Sequence, residues 1–282
     1  MENIPESSLT WLDQWLAKSW PNASPEYQWL LLQTWATSES RRQWIRSWPV
    51  KTGSQIIDLG CGPGVIAQEI AVLTQSQVLG LDIDNGALDL AQSLNRLLNH
   101  EGQVRFRHQN LMESEGQSIA DLAVARFVAQ HMPDLGTFMQ KAASHVRPQG
   151  LLAIEDTDDG LVIEYPDPPE AWQSAFRAFQ AHQTGPSGDR QVGRKLAQAG
   201  VDLGLTLESV AVNPSVYAGT LERNDLTVQF DIDRIERHLP ALIDKGLLDK
   251  DTWLDAKAQY RASFPHFSFV SSSTVRVLFR LP

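Results

Sequence analysis

Cysteine is almost missing from this chain: Cys61 stands alone among 282 residues, so an internal disulfide is excluded and a thiolate metal site has no companion ligands. A single thiol inside a glycine turn, with no His or Lys beside it in sequence to lower its pKa, is also a poor nucleophile. Basic charge is short as well. Lys and Arg number 24 against 34 Asp and Glu, a formal net charge of -10, which denies the surface the positive field that collects phosphates and argues against a nucleic-acid partner. No apolar run approaches the roughly 18 residues of a membrane span, and Met1-Glu2-Asn3-Ile4-Pro5-Glu6 lacks the basic start and apolar stretch of a secretory signal. The expectation is a cytoplasmic protein without membrane association. Internal repeats and low-complexity segments are absent too.

What the chain does have is apolar material, 42% of its residues, enough to core one large α/β domain or two small ones. Nine tryptophans stand out. They read either as core and helix packing or as an aromatic wall around a cation, and the packing reading is preferred.

The first fifty residues read as helices, with Trp11, Leu12, Trp15 and Leu16 at helical spacing and Trp29, Leu30, Trp35 and Trp44 in a longer segment after Ser24-Pro25. From Ser54 the period changes. Ile56-Ile57 ends in Asp58 and the turn Gly60-Cys61-Gly62-Pro63-Gly64, after which Val65, Ile66, Ile70 and Leu73 return to helical spacing. Val78 to Leu81 closes on Asp82 as a second strand, and a helix runs through Leu88 to Leu98. A third strand passes Val104 and Phe106 toward Asn110, a fourth is Leu122 to Ala125, a helix spans about Leu135 to Val146, and a fifth strand is Leu151 to Ile154. Such alternation implies an α/β fold with a doubly wound, mostly parallel sheet.

Beyond the fifth strand, Tyr165-Pro166-Asp167-Pro168-Pro169 reads as a loop before helices near Ala171 to His182 and Val192 to Ala199. A sixth strand is expected between Leu205 and Val212. Leu226 to Ala262 reads as helical, and Val270, Val275, Val277, Phe279 and Leu281 form a closing strand. The expected architecture is thus a Rossmann-like sheet of seven strands over residues 50–282. An N-terminal helical lid over residues 1–49 precedes it, and a helical cap, about 215–265, is inserted before the last strand.

A glycine turn between a first strand and a helix lets the backbone approach a ligand closely and offers unpaired N–H groups. The dinucleotide fingerprint G-x-G-x-x-G is not met: Gly60, Gly62 and Gly64 alternate, and Val65 stands where the third glycine belongs. Asp82 lies 20 residues past Gly62 at the end of the second strand, where a carboxylate can accept hydrogen bonds from ribose hydroxyls. A nucleoside ligand fits both features.

With Ile56 to Gly64, Gly80-Leu81-Asp82-Ile83, Gln109-Asn110-Leu111, Ala125-Arg126 with Gln130-His131, and Arg147-Pro148-Gln149-Gly150-Leu151-Leu152 in that order, the chain resembles the class I S-adenosylmethionine-dependent methyltransferases over about residues 50 to 160. The nearest likeness is to the branch that methylates small metabolites. The resemblance implies S-adenosylmethionine as cofactor, its amino-acid portion against Gly60 and Gly62 within the Asp58 to Gly64 turn, its ribose on Asp82, Ile83 beside the adenine, and Asn110, followed by Leu111, at the adenine amino group. Many members carry Asp where this chain has Asn110; the amide can still offer its carbonyl oxygen, without charge. Ala125 and Arg126 would flank the methionine carboxylate or the sulfonium, with the Arg126 side chain either binding a carboxylate or closing a salt bridge at the pocket rim. Arg41-Arg42 either reaches the cofactor carboxylate or forms a solvated helix face, the commoner fate.

Methyl transfer asks for alignment and exclusion of water, and for a base only with some acceptors. His131, after the fourth strand, is the first candidate for that base, against a reading as a helix cap or packing residue; Asp156, Asp158 and Asp159 are the others. The run Glu155 to Asp159 reads either as a site for a divalent metal or an amine acceptor or as a solvated loop with helix caps; the latter is preferred, and no metal is expected. His182 and Tyr217 are weaker candidates for the acceptor pocket. The expected partner is a small-molecule methyl acceptor. Two rival classes stand beside this reading: a nicotinamide oxidoreductase, disfavoured by Val65 and Asn110, and a cofactor-binding scaffold without activity.

Overall fold

The computed structural model describes residues 7–113, 115–184, 188–220, 226–263 and 267–282; the N-terminal hexapeptide read above for a signal, and parts of the expected cap, lie outside them. Three helices lead: α1 (Ser7–Ser19), α2 (Pro25–Ala36) and α3 (Ser38–Arg46). Then β1 (Gln55–Leu59), α4 (Val65–Thr74), β2 (Gln77–Asp82), α5 (Asn85–Leu98), β3 (Val104–His108), β4 (Ala120–Arg126), α6 (Leu135–Ser144) and β5 (Val146–Thr157) alternate as the periodicity predicts. The second half adds β6 (Ile163–Tyr165), α7 (Glu170–His182), α8 (Leu196–Asp202), β7 (Thr206–Thr220), α9 (Leu226–Glu236), α10 (Leu239–Asp244), α11 (Lys250–Ser263) and β8 (Phe267–Arg280).

All the strands form one sheet in the order β3-β2-β1-β4-β5-β8-β6, with β7 on the other side of β8. The pairs among β1 to β5 are parallel, and the three pairs made by β8 are antiparallel. Among the described residues the sheet has eight strands where seven were expected. The extra one, β6, precedes the proline-rich segment read as loop; it pairs only Ile163 to Tyr165 with Phe269 to Ser271, too short a run for a period-two signal. β7 also extends well past the expected Val212, because β8 offers it a partner from Phe267 to Arg280.

Successive residues of the inner strands face opposite layers, as the period of two demands. Ile56, Val78, Leu122, Val124 and Ala153 pack with Trp44, Trp48, Ala67 and Ile70, so α3 and α4 cover one face. Ile57, Leu59, Ala123, Leu152 and Phe279 pack on the other with Phe138 and Met139 of α6 and Leu196 of α8. A separate core joins α7 to the later helices through Trp172, Phe179, Ile232, Leu242 and Trp253, so α7 shares the core of the inserted helices. Asp84 and Asp134 cap α5 and α6 by accepting hydrogen bonds from Ala87 N at 3.1 Å and Thr137 N at 2.7 Å. No helix among the described residues is long and apolar enough to cross a membrane.

Candidate active site

The parallel register sets Leu59 beside both Leu81 and Ala125, so the carboxyl ends of β1, β2 and β4 share one edge of the sheet. Past Leu59 the chain turns back on β2: Gly60 N and Cys61 N donate to Leu81 O at 2.7 and 3.0 Å. Gly60 has φ +71°, and a Cβ there would come within 2.5 Å of the Val128 side chain. At Gly62, with φ +49°, a Cβ would meet nothing within 4 Å. Packing therefore requires the first glycine, whereas the second opens on free space. Gly62 N donates to Asp82 Oδ2 at 2.7 Å, and Asp84 N to Asp82 Oδ1 at 2.9 Å, so that carboxylate stands fixed at the mouth of the turn. Ile83, next to it, is 59% exposed.

Asp58 ends β1 behind the turn. It is buried, its Oδ2 has no hydrogen-bond partner, and its pKa is pushed up to about 7, by burial first and then by the Asp82 charge, against the pull of Arg126 and Arg41. Two carboxylates thus face this edge without a contacting cation among the described residues. Burial and the same two charges push the Cys61 thiol up, which suits the reading of an inert thiol. Asn110 uses its Oδ1 to accept from Met112 N at 3.0 Å, so the oxygen that the resemblance assigns to the adenine already holds a local turn, with Leu111 buried beneath.

At the β4 and β5 ends the charges are paired. Ala125 is buried. Arg126 lies opposite Glu155 in the ladder and donates from Nε to Glu155 Oε2 at 2.6 Å and from Nη2 to Thr37 Oγ1 at 3.0 Å. Glu155 also accepts from Thr274 Oγ1 at 2.7 Å and Arg276 Nε at 3.0 Å, and the arginines hold its pKa down against its burial. Of the two readings for Arg126, the salt bridge is the one observed. Arg41 meets neither of its readings: it is fully buried and forks onto Glu69, Nε to Oε2 at 2.5 Å and Nη2 to Oε1 at 2.8 Å. Arg42 joins Glu69 to Asp13.

The solvated-loop reading of Glu155 to Asp159 is likewise overturned, since all four acids are buried. Asp158 receives Arg194 and caps the turn at Gly160; Asp159 receives Arg190 through Nε at 3.0 Å and Nη2 at 2.9 Å. These arginines lie 31 and 36 residues away in sequence, so local pattern gave no sign of them. Asp156 alone has only backbone donors, Gln130 N and Thr157 N, and burial pushes its pKa up to about 7.

His131 closes the single 3-10 turn Ala129–His131 and is exposed. It caps no helix, because Asp134 caps α6. Its pKa is lowered, by surrounding protein first and by Arg190 second, so the imidazole is neutral near pH 7. Arg190 also donates to Gln130 Oε1. Burial chiefly, and then the neighbouring His182 and Arg237, hold His238 of the inserted helices down to about 4, with His131 and Arg190 adding to it as the pH falls. The His182 and His238 ring centres are 5.6 Å apart. Tyr217 instead donates to Thr220 O at 2.9 Å.

Two contributors to this edge were not foreseen. Tyr27 Oη of α2 donates to the Asp84 carboxylate at 3.0 Å, two residues past Asp82. Trp29 stacks on Phe230 of α9 with ring centres 3.6 Å apart, and Arg237 reaches Glu26 O. The N-terminal helices and the inserted ones are therefore in contact.

A family model described as a methyltransferase domain matches residues 50–200. The chain is similar to an uncharacterized 37.1 kDa protein in transposon TN4556 of Streptomyces fradiae, 28% identical over 76% of this chain and 63% of that protein. It is similar to the O-methyltransferase rstn1 of Aspergillus nomiae, 33% identical over 49% of this chain and 60% of that protein. These matches span less than two thirds of either relative's length. Among solved structures, the fold resembles geranyl diphosphate C-methyltransferase from Streptomyces coelicolor in complex with Mg2+, geranyl diphosphate and S-adenosyl-L-homocysteine. That likeness has a TM-score of 0.51 at 15% identity and covers 86% of this chain and 77% of that one.

Proposed function

The chain belongs to the methyltransferase-domain family, and from that premise we propose that it transfers a methyl group from S-adenosylmethionine to a small organic metabolite held beneath the N-terminal and inserted helices. The observation that carries the cofactor assignment is the pairing of a glycine open to free space with two carboxylates that lack cationic partners. Gly62 leaves room for a close approach, Asp82 has lone pairs beyond its two backbone bonds for ribose hydroxyls, and Asp58 Oδ2 is an orphaned buried oxygen suited to an ammonium. Ile83 offers an exposed apolar side chain to the adenine, beside Asn110 and Leu111. When bound, S-adenosylmethionine supplies an already activated methyl group.

The chain's own residues then have to orient the acceptor and keep water out, where proximity alone is worth roughly 7 to 11 kcal/mol at best. The Trp29–Phe230 stack supports a roof made by α2 and α9 over the strand ends. His131 is the proposed general base for an acceptor that must lose a proton: it is exposed, adjacent to this edge and kept neutral by its surroundings and Arg190. Calorimetric titration with S-adenosylhomocysteine, run beside oxidised nicotinamide dinucleotide, tests the assignment. Binding of the first alone is expected; binding of the second alone would make the protein an oxidoreductase.

A further inference from the structure

The inserted helices carry a group of charges that methyl transfer leaves unused. Arg234 of α9 lies among three rings, its guanidinium carbon 5.5 Å from the centre of Phe230, 5.7 Å from Trp29 and 6.0 Å from Phe176. Its side chain keeps 19% of its surface, its Nε is buried without a hydrogen-bond partner, and its ion pair with Asp231 is 3.7 Å long, beyond hydrogen-bond range. A guanidinium cannot shed its charge in a protein, so a mostly buried one whose Nε has no acceptor and whose ion pair is this long is only partly compensated in the folded state.

Glu164 of β6 is the opposite case. Among the described residues no donor reaches its carboxylate, and burial pushes its pKa up to about 7, with the Asp231 charge adding and Arg234 opposing. Arg234 and Glu164 form no ion pair with each other; they are joined through Asp231, which meets Arg234 at 3.7 Å and accepts from Tyr260, and Tyr260 lines the same crevice as Glu164. A crevice of about 20 Å³ beside Glu164, lined also by Tyr260 and Phe269, has room for one water-sized group. The Tyr260 hydroxyl donates to Asp231 Oδ2 at 3.1 Å and holds the second carboxylate nearby. Arg234 lies against Trp29 of α2, the helix whose Tyr27 bonds Asp84 two residues past Asp82, and its charge helps hold Asp159 ionised past the end of β5, so this group borders the sheet edge already described.

We propose that Arg234 and Glu164, with Asp231, form the acceptor subsite, and that the acceptor is a zwitterion of the amino-acid class, its carboxylate on the guanidinium and its protonated amine toward the two acids. An anion alone would face Glu164 and Asp231, and a cation alone would face Arg234; a molecule carrying both charges answers both. The Trp29–Phe230 stack and Phe176 supply an apolar wall for the remainder of the molecule. This rests on the reading that the inserted helices roof the acceptor site.

The test uses the full chain and two variants, Arg234→Met and Glu164→Gln. Calorimetry in the presence of S-adenosylhomocysteine compares phenylalanine with phenylalanine amide, which lacks the anion, and N-acetylphenylalanine, which lacks the cation. The wild type should prefer phenylalanine at least tenfold over either. R234M should lose the preference over the amide and E164Q the preference over the N-acetyl compound. Both variants should keep S-adenosylhomocysteine affinity, and E164Q should melt no lower than the wild type because it removes a carboxylate that no donor reaches; R234M gives up the ion pair with Asp231 and the ring contacts, so its melting temperature is not the criterion. Equal affinity for the three probes, or no binding of phenylalanine, overturns the proposal. So does a lowered melting temperature in E164Q, which would make that carboxylate structural. Failure of the wild type to bind S-adenosylhomocysteine would instead overturn the cofactor reading beneath it.

Discussion

The two ends of the same sheet edge treat their acids differently. At β1 and β2, Asp58 and Asp82 have backbone partners or none; at β4 and β5, Glu155, Asp158 and Asp159 each hold an arginine from a distant element. Acids already paired with arginine are structural, because charge and hydrogen-bond capacity are consumed within the fold. Acids left unpaired in a mostly buried place raise the free energy of the folded chain and mark where a ligand with complementary charge is stabilised. The comparison therefore predicts opposite outcomes for similar substitutions at the two ends.

The largest effect is expected at the paired end. Glu155→Ala leaves Arg126 and Arg276 facing each other without their shared acid, and urea unfolding should show a loss of about 3–5 kcal/mol, the usual result of breaking a buried pair from one side. Asp82→Ala should lower S-adenosylhomocysteine affinity at least tenfold in calorimetry, since charge-assisted bonds of roughly 1.5–3 kcal/mol are lost together with the anchor of Gly62 N; unchanged affinity would move the ribose elsewhere. Asp58 should make binding depend on pH. Its folded pKa lies near 7 and an ammonium partner favours the ionised form, so affinity should rise by about tenfold from pH 6 to pH 8, and Asp58→Asn should flatten the curve.

Asp156 gives the most diagnostic effect. Its pKa is raised on folding, so its ionisation destabilises the native state from the ordinary Asp range upward, and that penalty is complete above about pH 7. The melting temperature of Asp156→Asn relative to the wild type should therefore climb between pH 4.5 and pH 8. A difference independent of pH would show that Asp156 is not charged by the upper end.

Much of the cofactor edge was legible because its signals are local. Gly60, Gly62 and Gly64 alternate within one turn, Asp58 precedes them, and Asp82 closes the next strand, so strand-turn-helix alternation places them together once the sheet is parallel. The acidic run was misread because the arginines that neutralise it, Arg190, Arg194 and Arg276, lie 31, 36 and 121 residues from their partners, and no periodicity links them. Arg41 and Arg42 failed for the same reason: in sequence they are two charges on a short helix, and only the docking of α3 on α4 brings Glu69 beneath them. The tryptophans were read correctly as packing where they lie in helical stripes, as with Trp44, Trp172 and Trp253. Trp29 departs from that pattern, since its ring meets Phe230 and, beyond it, the protein's own Arg234.

By itself the sequence determined the alternating elements, the doubly wound sheet and the glycine turn with its two strand-end acids, because hydrophobic period and turn chemistry act within a few residues. Only the tertiary structure decided which charges are spent on one another and which are left over, because ion pairing depends on approach within a few ångströms between elements far apart in the chain. That division separates charges spent within the fold, those of Arg126, Arg41, Glu155, Asp158 and Asp159, from those of the proposed sites, where Asp58, Asp82 and Glu164 hold no cation in a hydrogen bond and Arg234 holds its acid only at 3.7 Å.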